Sequence, residues 1–198
     1  MYQRGQNPQR ESLFQNRWLE ALTVISVRWF AAIWCVALCL IVWFGWGTAS
    51  PLVAIGLVLA GFTVWGCFEY VAHRYFFHWK VQWEPARSVV YVLHGNHHVT
   101  PNDPLRNLMP PIISFPISGS VWAGCAALIG AAGTWLFLGY ILGYIIYDMT
   151  HYACHQWPMR GALGQLLKRH HMRHHHISEN GNYAISVIFL DRLLGSRI

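Results

Sequence analysis

Charge is scarce in this chain. Only 11% of its 198 residues are Asp, Glu, Lys or Arg, whereas a soluble domain carries about 25%. With 55% hydrophobic residues and eleven tryptophans, that deficit excludes an ordinary water-soluble domain and predicts one integral membrane domain. Cys-x-x-Cys is missing as well. Cys35, Cys39, Cys67 and Cys125 sit in apolar runs and Cys154 lies between two histidines, so neither a disulfide framework nor a thiolate zinc site is expected. The first eight residues are polar and lack the apolar core of a secretory signal. The formal net charge is +6, but the basic residues form no aromatic-interleaved patch, which argues against a nucleic-acid partner.

Long apolar runs take the place of charge. Residues 1–10 are expected to be disordered. From 11 to 28, Leu13, Phe14, Trp18, Leu22, Ile25 and Val27 alternate with Arg17 and Glu20 at roughly helical spacing, the pattern of a helix lying in the membrane interface. Residues 1–28 therefore read as a tail and interfacial helix, and 29–198 as the membrane domain. Runs at about 29–47, 51–72, 112–129 and 134–154 are long enough to cross a ~30 Å hydrocarbon core. Thr48-Ala49-Ser50-Pro51 and Gly130-Ala131-Ala132-Gly133 make the tight turns between them, with Pro51 suited to a first helical turn. The second run continues to His78, roughly 10 Å beyond the lipid core at 1.5 Å per residue. Pro101, Pro104, Pro110 and Pro111 interrupt the polar segment that follows, and residues 162–176 read as a short helix outside the lipid. The expected fold is all-α: a four-helix transmembrane bundle with a helical cap. Both turns are free of charge, and all fourteen Lys and Arg fall on the opposite side, which places the termini and the cap in the cytoplasm.

All twelve histidines fall in four groups within that cap or at its edge: His73 and His78; His94, His97 and His98; His151 and His155; and His170, His171, His174, His175 and His176. His94 and His98, or His151 and His155, share a helical face at i, i+4. His97 and His98 point about 100° apart, so one faces one metal and its neighbour a second. His73 and His78, five apart, either embrace one ion from different turns or serve different ions. Ten histidines fit recurring spacings: His73, His78, His94, His97, His98, His151, His155, His171, His174 and His175. One ion takes at most about six ligands, so ten imply two. His170 and His176 lie outside the pattern and are expected to tolerate alanine. Glu69, four before His73, and Asp148, three before His151, are the carboxylates placed to accept a ligand's second ring N–H. A salt bridge of Glu69 with Arg74 and an interfacial role for Asp148 are the alternatives.

Imidazole suits zinc, copper, iron or nickel rather than magnesium or calcium. A zinc hydrolase has no need of four spans, a bis-histidine haem needs facing histidines inside the bilayer, and a metal transporter needs polar ligands at mid-membrane. Dioxygen chemistry on a lipid remains, with a same-site desaturase and a non-enzymatic metal-binding or metal-transport protein as rivals.

Phe68-Glu69-Tyr70 before His73-Arg74-Tyr75-Phe76-Phe77-His78, then His94-Gly95-Asn96-His97-His98, Tyr147-Asp148-Met149-Thr150-His151-Tyr152 to His155, and Leu167-Lys168-Arg169 before His171-Met172-Arg173-His174-His175 resemble the fatty acid 2-hydroxylases. These belong to the fatty acid hydroxylase and sterol desaturase superfamily. The resemblance covers about residues 65–198. It implies that the ten histidines hold two iron ions, with zinc able to enter on purification. It also implies oxygen insertion from dioxygen at the 2-position of a fatty acyl chain, free or in a sphingolipid such as ceramide. Superfamily alternatives are a desaturase or a sterol or carotenoid hydroxylase. Tyr147, Asp148 and Tyr152 become candidates for supporting the site or holding the acyl carbonyl, against a plain role as interfacial anchors. The cytochrome b-type haem domain of eukaryotic members has no room here. A separate electron donor, cytochrome b-type or ferredoxin-like, is therefore expected, in a bacterial inner membrane or alternatively the endoplasmic reticulum. His176 replaces an aromatic residue of the family, and Gly181-Asn182-Tyr183-Ala184 replaces a more aromatic Gly-Phe-Gly; these positions are expected to line the substrate entrance.

Overall fold

The computed structural model describes residues 12–198; the disorder expected of residues 1–10 lies outside them. The described residues are helical, with no strand. The interfacial helix is shorter than the sequence pattern predicts. α1 spans only Arg17–Leu22, because the Asn16 side chain caps its start by accepting from the Trp18 and Leu19 amides and the Thr23 hydroxyl closes its end on the Glu20 carbonyl. Trp18, Leu19 and Leu22 remain exposed.

Ser26 then caps α2, Val27–Gly45, and the Thr48–Pro51 turn leads into α3, Pro51–Val71. Among the described residues, three segments are long and apolar enough to cross a membrane: Val27–Gly45, Pro51–Phe77 and the 46 residues Pro111–Gln156. Leu40, Leu52, Ile55, Leu59 and Leu128 are exposed on them, as lipid-facing side chains are. The third segment is not one rod. Gly130, at φ 66°, breaks it where a residue with a Cβ is strained.

The polar middle of the chain holds α4, Glu84–Val90, and α5, Asn96–Val99. The broken segment then gives α6, Pro111–Ile129, and α7, Gly133–Gln156. α6 and α7 run antiparallel. Trp122 stacks on Phe137 with rings 5.3 Å apart and donates to the Thr134 hydroxyl, while further along Met109 N meets the Asp148 carboxylate at 2.9 Å. α8, Ala162–His176, and α9, Phe189–Leu193, complete the chain.

α7 is the spine. Its buried residues run from Gly133 to Cys154, and α3 lies against it in backbone contact. A Cβ on Gly61 would sit 1.9 Å from the Leu136 carbonyl oxygen, and one on Gly139 equally close to that of Val58. Small residues on both helices permit this approach, a common device of helix packing in lipid. Trp65 of α3 fills the space next along, its ring 5.0 Å from Tyr140, 5.3 Å from Tyr144 and 5.5 Å from Tyr147. This pair carries His73 and His151 to two adjoining histidine groups at one end of the helices.

Candidate metal centre

The ten histidines with recurring spacings come together as two groups of five. One is His73, His78, His94, His98 and His174; the other is His97, His151, His155, His171 and His175. Within each, the ligating atoms lie within 4.8 Å of one another. Local helix geometry explains the sorting. α3 passes into a π-helix over Ala72–Phe77, whose i→i+5 pattern brings residues five apart onto one face. That is why His73 and His78 share a group despite a spacing poor for an α-helix. A second π-helix, Tyr91–Gly95, leads into α5. Adjacent His97 and His98 of α5 go to different groups, as do His174 and His175 of α8. Two short helices thus feed both groups, which touch: the His98 and His175 rings stack with centroids 4.3 Å apart.

The ring nitrogens show what these groups are built to hold. His73 and His174 donate from Nδ1 to the carbonyls of Tyr183 and Gly181, and His151 donates to that of Asn107 at 3.0 Å. A proton on Nδ1 leaves Nε2 as a bare lone pair in a neutral ring. Those lone pairs point into the groups, where the Nε2 atoms of the other rings converge on them. His78 Nε2 lies 3.0 Å from that of His174 and 3.2 Å from that of His73; His97 and His151 approach to 2.8 Å, as do His155 and His171. Where both rings keep the proton on Nδ1, as His98 beside Glu179 and His174 beside Gly181 do, neither Nε2 can donate across the 3.3 Å between them, and a cation between the nitrogens satisfies both. A metal–nitrogen bond of about 2.1 Å sets neighbouring ligand nitrogens about 3 Å apart at right angles, which is the spacing found. Burial, then His174 and Lys80, pushes His78 down to about 3. Burial, then His174, His78 and His151, takes His98 down to about 2. Both rings are neutral at physiological pH, the form that binds a metal.

The carboxylates expected to orient His73 and His151 do something else. Glu69 accepts from the amides of Ile185, Ser186 and Val187 and from the Ser186 hydroxyl. Asp148 accepts from Met109 N, a donor with no helical partner just before Pro110 and Pro111. Buried amides outside regular structure demand acceptors, and each carboxylate meets that demand, leaving the histidines to backbone carbonyls. Glu69 also makes no salt bridge with Arg74 among the described residues.

Residues 181–184 likewise depart from expectation. They are not among the residues lining the cavity that reaches the histidines, and they form a strap over the first group, with Gly181 and Tyr183 supplying the carbonyls to His174 and His73. Asn182 takes φ 54°, and its amide donates to the His170 carbonyl at 3.0 Å. The strap is anchored by Asp191, which accepts from the Tyr183 and Ala184 amides and the Ser196 hydroxyl. His170 Nε2 completes that set at 2.9 Å. Burial alone would raise the Asp191 carboxyl, but the bonds from His170, Ser196, Ala184 and Tyr183 outweigh it and hold it below the usual range. His170 is therefore buried structure rather than a spare histidine, whereas His176 is exposed.

A cavity of about 350 Å³ runs from the helices to the histidines. Phe68, Ile117 and Tyr140 line it within the lipid-spanning part, and His94, His97 and His151 line it together with Tyr147 and Asp148. Tyr147 is buried and stacks toward His151 at 6.3 Å. Tyr152 is off the cavity, packed edge-on against Trp157. Sequence reasoning missed Arg106, a buried cation in the cavity wall. It binds the Glu20 carboxylate and donates to the Thr23 hydroxyl, tying the α1 end of the chain over the site. A lone arginine between prolines carries no signal of that role.

A helical membrane domain that gathers ten histidines at one end of its apolar helices defines the class. The fatty acid hydroxylase family model matches residues 58–196, and the chain belongs to that family. It is 36% identical over 141 residues to a fatty acid 2-hydroxylase of Homo sapiens, covering 69% of this chain and 38% of the relative. It is 30% identical to a dihydroceramide fatty acyl 2-hydroxylase of Arabidopsis thaliana, covering 92% and 78%. A ceramide very long chain fatty acid hydroxylase of Schizosaccharomyces pombe is 36% identical, with 73% and 43% covered. The chain thus spans well under half the length of the mammalian and fission-yeast relatives. Among solved structures, full-length scs7p, with only its hydroxylase domain visible, superposes with a TM-score of 0.85 at 26% identity, covering 93% of this chain and 71% of that one.

The grouping predicts two bound ions per chain, with His97→Ala and His174→Ala each lowering metal content by emptying a different group. His176→Ala should leave metal content intact. His170→Ala should keep the ligands yet cost about 1–3 kcal/mol of stability by stripping a buried partner from Asp191. Metal analysis and thermal melts of the purified variants check this; one ion per unaltered chain contradicts it.

Proposed function

We propose that this chain is a dioxygen-dependent di-iron hydroxylase acting at the 2-position of a fatty acyl chain, free or N-linked in a sphingolipid. The observation that carries this reading is the cavity, lined by apolar residues of α3, α6 and α7 and by His94, His97 and His151. Iron held by the two five-histidine groups would supply the activation of dioxygen. The protein's own part is orientation and exclusion of water. Phe68, Ile117 and Tyr140 accept the tail, while the Tyr147 hydroxyl and the Arg106 guanidinium are the donors in the cavity wall for the acyl carbonyl. With the carbonyl held there, the carbon beside it lies nearest the histidines, so early positions of the chain are favoured over its middle. One oxygen atom enters the chain and the other leaves as water, and a separate cytochrome b-type or ferredoxin-like protein supplies the electrons.

α2, α3, α6 and α7 serve as four spans, with α4, α5, α8 and α9 as a cytoplasmic cap. Their support is the charge-free turns at 48–51 and 130–133 and the positive-inside rule. A bacterial inner membrane and the endoplasmic reticulum both satisfy that orientation. Cysteines at Ser50 and Ala131 of a cysteine-free variant should react with an impermeant thiol reagent from the non-cytoplasmic side, and one at Asn180 should not; the opposite pattern would invert the topology.

Expression under labelled dioxygen should yield 2-hydroxy acyl lipids carrying one labelled oxygen, dependent on iron and a reductant. A new double bond, or label on a sterol or carotenoid, would select another chemistry of the superfamily. No oxygenated lipid despite full iron and a competent donor would leave a metal-binding or transport protein.

A further inference from the structure

The two histidine groups have the same number and type of ligands, but their outer partners differ in charge. His98, of the first group, has its Nδ1 3.2 Å from the Glu179 carboxylate. Among the described residues no other ligand histidine bonds a carboxylate. Its companions His73 and His174 donate to neutral carbonyls. In the second group His151 donates to a carbonyl, His97 meets the Asn107 amide, and His171 Nδ1 has no hydrogen-bond partner.

Glu179 is held in place by the turn that ends α8. The Ile177 and Ser178 amides both return to the Arg173 carbonyl. Asn180 N donates to the Ser178 hydroxyl, and Lys80 Nζ reaches the Asn180 side chain at 3.2 Å. The backbone on either side of Glu179 is therefore held beside the His98 Nδ1 edge, although more than half of the Glu179 side chain is in solvent.

We propose that Glu179 is a positioning residue that makes the two metal sites unequal, so that the His73, His78, His94, His98, His174 site holds its ion more tightly and fills first. A carboxylate that accepts the Nδ1 proton fixes the ring with Nε2 facing the metal. It also places negative charge behind that nitrogen, strengthening it as a donor. Loss of such an outer partner typically costs 10–100-fold in metal affinity, and solvent screening at Glu179 favours about the lower end of that range.

The inference rests on reading both groups as metal sites, and a zinc titration separates the two ideas. Zinc is added to metal-stripped full-length protein in detergent against a chromophoric chelator. The unaltered protein should show two binding steps of unequal affinity. Glu179→Gln should weaken the tighter step about tenfold and leave the other unchanged, with no change in apo-protein melting. In a His98→Ala background Glu179→Gln should have no further effect. Two equal steps in the unaltered protein, or a Glu179→Gln variant that loses both steps alike or neither, would overturn the role of Glu179. No zinc binding at all would overturn the metal sites themselves.

Discussion

Repulsion between bare imidazole nitrogens is the constraint around which this molecule is arranged. Neutral rings are pressed together, and His98 and His174, each with its proton held on Nδ1, set their Nε2 atoms 3.3 Å apart. Buried acceptors without a donor are costly, so the arrangement is stable only if something rigid enforces it or a cation relieves it. The fold supplies the enforcement. Backbone contact between α3 and α7, allowed by Gly61 and Gly139, fixes the two scaffolds that carry His73 and His151. The short helices α5 and α8 then bring one histidine each to both groups from adjacent positions.

The chain's last residues belong to the site as much as the motifs do. Glu69, deep on α3, gathers three successive amides from 185–187, and Asp191 gathers those of Tyr183 and Ala184. These anchors, with the Asn182 amide on the Ser196 carbonyl, hold the backbone so that the Tyr183 and Gly181 carbonyls face His73 and His174. Substitutions at Asp191 or Asn182, which bond His170 rather than any of the ten clustered histidines, therefore act on the clustered rings through the direction of a carbonyl. The same economy operates at the other group, where the segment before α6 orients His151 through the Asn107 carbonyl and is itself tied to Asp148.

Much of this was legible in the sequence because it depends on composition and on short-range spacing. Apolar runs broken at Thr48–Pro51 and Gly130–Gly133 give the long helices, and the i, i+3, i+4 histidines give the faces. The 100° step between His97 and His98 already separates them. What the sequence hid depends on long-range contacts or on non-standard helices. The five-residue spacing of His73 and His78 looks poor until a π-helix makes it good, and nothing in Ala72–Phe77 announces that winding. Glu69 and Asp148 stand at helical spacing from a histidine, yet unpaired amides of distant segments compete for them and win. Glu179, Asp191 and the strap carbonyls reach their histidines across loops, beyond any pattern of sequence spacing.

The claim on which the rest stands is that each group of five imidazoles coordinates an ion. X-ray absorption at the iron edge of iron-loaded protein tests it directly. The predicted spectrum has a nitrogen shell at about 2.0–2.2 Å with the outer-shell scattering of several imidazoles per iron and no sulfur. Sulfur scattering near 2.3 Å, which would recruit Cys154 between His151 and His155, or a shell of oxygen with little imidazole scattering, would contradict the account.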